Sequence, residues 1–166
     1  MRAGRAPLLL IVLALASPAL GCYQSESPLD ATPRSPMDSR LIGAWRCVGP
    51  DKSDDAITVT TVASANRMVA VTWEEPGKKP DHYEGYLVGL KGTTVIDLRE
   101  VPATPTSQWS LVHLDFLQPD IALIKVVNET LLKGLGPAAI RATLEQQRSN
   151  AALYEKDPLV CIRAKR

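Results

Sequence analysis

From Leu41 onward, short runs with apolar side chains at every second position alternate with breaks containing Gly, Pro or Asn. A period of two sends successive side chains to opposite faces, so each run reads as a half-buried β-strand and each break as a tight connection between antiparallel neighbours. The runs are 41–48, 57–63, 68–74, 82–90, 93–101, 109–117 and 121–128. Gly49-Pro50 closes the first, Pro76-Gly77-Lys78-Lys79-Pro80 separates the third from the fourth, and Lys91-Gly92 is a two-residue hairpin turn. The period then changes. Gly136-Pro137 opens a helix expected over 137–149, with Ile140 and Leu144 four residues apart on one narrow stripe. Asp157-Pro158 ends that stretch before an eighth strand over 159–164. The expected fold is mainly β: an antiparallel meander of about eight strands, with one helix before the last, forming one domain over 40–166 as a barrel or strongly curved sheet.

The first residues do not belong to that pattern. Arg2 and Arg5 form a basic start, 8–16 is an uninterrupted apolar run, and Ser17-Pro18 breaks it. Nine apolar residues are too few to cross a hydrocarbon layer of about 30 Å as a helix, so the segment reads as a secretory signal. Ala19-Leu20-Gly21-Cys22 resembles the lipobox of bacterial lipoproteins, in which small residues precede a Cys that becomes the acylated N-terminus; the usual Leu three places before the Cys is here Ala19. The resemblance implies a signal peptide over 1–21, fatty acyl chains (palmitate or its like) on Cys22, and anchoring to the cell envelope. Tyr23 after the Cys, where an Asp is absent, points to the outer membrane rather than the inner one. Cleavage after Ala19 by an ordinary signal peptidase is the alternative, since Ser17 and Ala19 also form a small-x-small site. The stretch 22–39 is polar, carries several Pro and lacks apolar periodicity, so it is expected to be a flexible tether.

A meander left open has an unpaired edge at each end, and closure removes both. If Cys47 faces Cys161 in antiparallel strands, paired residue numbers sum to 208 and Trp45 falls opposite Arg163. One register thus offers a disulfide and a cation–π pair. Export brings the thiols into an oxidising compartment, and with Cys22 acylated only Cys47 and Cys161 remain. Two buried free thiols are the alternative.

Gly43-Ala44-Trp45 resembles the Gly-x-Trp that opens lipocalins, and Arg163 resembles the Arg that packs against that Trp. The succession of strands, helix and final strand is also similar to that family, although lipocalins complete eight strands before the helix and seven are read here. The resemblance implies a small barrel. The segment Leu153-Tyr154-Glu155-Lys156-Asp157-Pro158-Leu159 is similar to the C-terminal part of small envelope lipoproteins. The apolar interior is expected to include Val71, Trp73, Tyr86, Val88, Leu98, Leu114, Phe116 and Ile124, with Leu90 on the same face as Tyr86 and Val88. Such a barrel is either filled by these side chains or holds one hydrophobic ligand.

Little in the sequence points to chemistry. No Gly-x-Ser-x-Gly or Cys-His signature is present, so no catalytic residues are assigned. His82 and His113 read as partly exposed strand residues, with Asp115 on the same face as His113. Asp51, Ser53, Asp54 and Asp55 lack the Gly and terminal Glu of a calcium loop, and no metal is assigned. Glu74, Glu75 and Glu84 read as solubilising charges, and Asn128-Glu129-Thr130 as an incidental glycosylation match. The formal charge of +1 becomes −1 once Arg2 and Arg5 are removed, which gives no basis for nucleic-acid binding. The expected function is that of a non-enzymatic, membrane-anchored envelope lipoprotein without a cofactor, binding a hydrophobic small molecule, an acyl chain or a partner protein. The alternative is a structural or assembly component with a filled core.

Overall fold

The computed structural model describes residues 23–49 and 56–165. Its strands are β1 (Gln24–Ser25), β2 (Gly43–Val48), β3 (Ile57–Ala63), β4 (Met68–Glu74), β5 (Asp81–Leu90), β6 (Thr93–Glu100), β7 (Trp109–Gln118), β8 (Ile121–Val126) and β9 (Leu159–Arg163). From β2 to β8 each strand pairs antiparallel with its successor, β8 pairs with β9, and β9 pairs with β2, so eight strands close into a barrel. Closure uses the register with residue numbers summing to 208: Cys47 lies opposite Cys161 and Trp45 opposite Arg163. The two cysteines form a disulfide, and the Arg163 guanidinium carbon lies 4.3 Å from the centroid of the Trp45 ring.

Gly43 explains itself at this seam. It has φ +142°, and a Cβ placed on it would come within 2.6 Å of Arg163 Nη1. The missing side chain leaves room for the guanidinium, which donates to Ile42 O at 2.7 Å while Trp45 Nε1 donates to Leu41 O at 3.1 Å. Arg40 lies over the Phe116 ring at 4.4 Å, and Phe116 packs against Trp45 with centroids 6.2 Å apart. These groups close one end of the barrel. The other end carries the β4–β5 and β6–β7 connections.

The helix α1 (Pro137–Gln146) is shorter than expected; Gln147 ends it, and Asn150 caps a separate short turn at Ala151–Leu153 by accepting from Ala152 N at 3.0 Å. Ile140 and Leu144 are its buried residues, as the stripe implied. They join a second apolar cluster, outside the barrel, with Leu111, Val127, Leu132 and Leu153.

That second cluster corrects the expected interior. Tyr86 and Val88 belong to it, with Leu90 packed against it, whereas Gly85 and Leu87 occupy the opposite parity of β5. The sequence is apolar at both parities over 86–88, so alternation alone cannot choose the inward face. Gly85 settles it: a Cβ there would meet Asp97 O at 2.2 Å and Leu98 Cδ2 at 2.6 Å, so the inward-facing Leu98 closes over a position that has no side chain.

The stretch read as a tether differs from that reading over its described residues. Tyr23 N donates to Val127 O at 2.8 Å, β1 pairs with the start of β7, and Leu29 N donates to Asp97 Oδ2 at 2.7 Å. Asp30 pairs with Arg141 of α1 and accepts from Tyr86 Oη at its carbonyl. Met37 then packs against the barrel's interior cluster. Isolated anchors and backbone groups fasten this segment, and neither leaves a periodic trace in sequence.

Candidate functional site

The barrel interior is only partly filled. Between the closed end and the opposite loops lies a cavity of about 570 Å³. Its walls come from inward positions on successive strands: Val59 on β3, Val71 and Trp73 on β4, Ile96 and Leu98 on β6, Val112 and Leu114 on β7, and Ile124 and Val126 on β8, with Leu41 and Leu159 completing them. Of the expected interior residues, Val71, Trp73, Leu98, Leu114 and Ile124 line this space, Phe116 packs in the interior cluster with Trp45, and Tyr86 and Val88 lie outside. A volume of this size falls within the range of about 300–1,000 Å³ typical of small-molecule sites.

The mouth is polar. Gln24, Glu100, Thr106, Ser107, Gln108 and Ser110 border the cavity there. Tyr83 faces Glu100 across the β5–β6 pair. Burial raises the Tyr83 pKa first, and the carboxylates of Asp81, Glu100 and Glu75 raise it further. Glu75 accepts from Trp73 Nε1 at 3.2 Å and pairs with Lys78 at 2.5 Å. Sequence reasoning left out this rim, although its register was available: the Lys91-Gly92 turn pairs Leu90 with Thr93, and the same ladder carries Tyr83 to Glu100. With Leu98 inward, Glu100 two residues later is inward as well.

The titratable groups away from the cavity hold the outer layer together. His113, expected to be partly exposed, is buried, because the C-terminal connection lies over it. Its Nδ1 is 2.7 Å from Tyr154 Oη, its Nε2 is 3.2 Å from Asp115 Oδ1, and Thr93 Oγ1 also reaches Nε2. Burial is the main cause that lowers the His113 pKa, and burial likewise pushes the Tyr154 phenol up to about 12. Neither residue borders the cavity. Asp97 is 1% exposed, and burial raises its carboxyl to about 7; Oδ2 accepts from Leu29 N while Oδ1 has no hydrogen-bond partner among the described residues.

The remaining sequence candidates fall elsewhere. His82 is exposed on β5, Glu84 pairs with Arg99, and Asn128 accepts from Thr130 N at 2.9 Å while donating to Tyr154 O at 2.8 Å. The acidic run 51–55 and Cys22 lie outside the described residues. Among the described residues no group of three or more His, Cys, Asp or Glu is placed to hold a metal, and no helix is long and apolar enough to cross a membrane. No family model, curated protein or solved structure matches the chain.

Proposed function

We propose that the chain is a membrane-anchored, non-enzymatic bacterial envelope lipoprotein whose lipocalin-like barrel holds a hydrophobic small molecule or a single acyl chain. The cavity of about 570 Å³ carries this reading, because its walls are almost wholly apolar and its polar groups, Thr61 at the closed end apart, are gathered at the mouth. An open apolar space of this size favours an apolar occupant, since each Å² of apolar surface removed from water contributes about 25 cal/mol. The lipobox-like Ala19-Leu20-Gly21-Cys22 supports attachment through acylated Cys22, with the outer membrane as destination. Several acyl chains hold a protein stably where one does so only marginally. Tyr23, next to that Cys, is bonded to the barrel's backbone, so the anchor brings the domain close to the bilayer.

The alternative, an assembly component acting through its surface, draws on a different observation. Val160 and Ile162 of β9 project outward and are exposed, and Leu117 at the β7 bulge is exposed too. Such a strip suits an envelope protein partner.

One experiment addresses both parts. The Cys22→Ala protein should move from the membrane fraction to the soluble one, and the released protein, freed of lipid, should bind the uncharged fluorophore N-phenyl-1-naphthylamine saturably. Leu98→Trp, which fills the cavity, should weaken that binding about tenfold or more. Persistence in the membrane fraction sinks the anchor, and absence of saturable probe binding sinks the cavity reading in favour of assembly.

A further inference from the structure

We infer that the cavity selects amphiphiles with a cationic head, a long-chain amine or ammonium, over fatty acids and other anionic ones. The inference rests on the proposed hydrophobic-ligand reading and adds the charge of the ligand. Among the described residues that line the cavity, Glu100 is the single charged one, and no Lys, Arg or His is among them. A second hollow beside the mouth shares Thr106, Ser107 and Gln108 and adds Glu26, so both charged groups bordering these spaces among the described residues are acids. Glu100 has no ion-pair partner among the described residues. Asp81 stands close enough, with Glu100, to act on the Tyr83 phenol. The nearby turn carries Lys78 and Lys79, but Lys78 is committed to Glu75 and neither lines the cavity.

The consequence for a bound amphiphile follows from where its two ends must go. The tail enters the apolar walls, and the head stays at the rim where the polar groups are. A carboxylate head would face Glu100 with no compensating cation among the described lining residues; an ammonium would meet Glu100 and the half-buried rings of Tyr83 and Trp73. Charge attraction and the negative faces of those rings both favour the cation. Neutral hydrogen-bonding groups, Gln24, Gln108, Thr106 and Ser107, accept the N–H protons of an amine.

The test uses the Cys22→Ala protein with bound N-phenyl-1-naphthylamine and three displacers of equal chain length at neutral pH: dodecylamine, dodecanol and dodecanoate. Dodecylamine should displace the probe at a concentration about tenfold below dodecanol, with dodecanoate the weakest. Glu100→Gln, at an exposed rim position, should bring dodecylamine to the level of dodecanol. A fourth displacer, a lysophosphatidylethanolamine, separates the sources: displacement as strong as that by dodecylamine assigns the cationic head to a membrane lipid, and weaker displacement assigns it to a free amine. Equal displacement by amine and alcohol, or stronger displacement by dodecanoate, overturns the charge selection while the probe's own binding keeps the cavity reading intact. A protein that does not bind the probe at all overturns both.

Discussion

Leu98 and Leu111 lie on neighbouring strands of one sheet and face opposite worlds. Leu98 borders the open cavity inside the barrel, whereas Leu111 is fully buried outside it with Leu132, Leu144, Leu153 and Val127. The outer cluster forms because the N-terminal segment, α1 and the C-terminal connection cover β5 to β7, so those strands are buried on both faces. A barrel with a second packed core outside need not fill its interior to be stable. The interior is instead held in shape by the ring of backbone hydrogen bonds and by a covalent link at the seam where its first and last strands meet.

That seam gives the largest expected effect. Cys47 and Cys161 are 114 residues apart, and linking such distant points removes unfolded-state entropy corresponding to about 4–5 kcal/mol in the chain-entropy model. Replacing both with Ala should lower the urea midpoint accordingly. If the outer core alone carried the fold, the double variant would lose less than about 1 kcal/mol, and the division of labour between the two regions would be wrong.

The two leucines test the comparison directly. Leu111→Ala should cost about 3–5 kcal/mol, since neighbours packed on all sides cannot collapse into the space. Leu98→Ala removes the same atoms from a wall that already faces a void, so only part of the transfer and contact energy is lost, about 1–2 kcal/mol. Equal losses in equilibrium unfolding would mean that the interior is packed as tightly as the outer layer.

The same contrast explains what could be read in advance. The strands, their order and the closing register were legible because alternation, tight turns and two cysteines constrain them at short range or by simple arithmetic: Cys47 opposite Cys161 carries Trp45 to Arg163 without further assumption. The choice of inward face on β5 was not legible. Tyr86, Leu87 and Val88 are apolar in succession because both faces are buried, and a continuous run contains no parity information. Of the eight expected interior residues, five border the cavity and Phe116 packs in the interior cluster, whereas Tyr86 and Val88 belong to the outer core. The fastening of 23–41 was hidden for another reason. It depends on backbone donors of Tyr23 and Leu29 and on the Asp30–Arg141 pair, which join residues far apart in sequence and follow no local pattern.

Asp97 gives the most local test, because it is the point where the N-terminal segment meets the sheet. Its carboxyl sits at about 7 in the folded protein, raised mainly by burial, against an ordinary value of 3.8. The folded state therefore holds a proton that the unfolded chain has released, and the contribution to stability is complete below about 4 and declines as pH rises through about 7. The slope is at most about 1.4 kcal/mol per pH unit. His113 acts in the opposite sense: its lowered pKa means that stability rises with pH until the ordinary value of 6.5 is passed. The difference between the wild type and Asp97→Asn isolates the carboxyl, since Asn can still accept from Leu29 N but cannot ionise. Urea midpoints measured from pH 4.5 to 8 should converge at the acid end and separate toward neutral pH, with Asp97→Asn the more stable there. Parallel profiles would show that Asp97 is not proton-linked to folding.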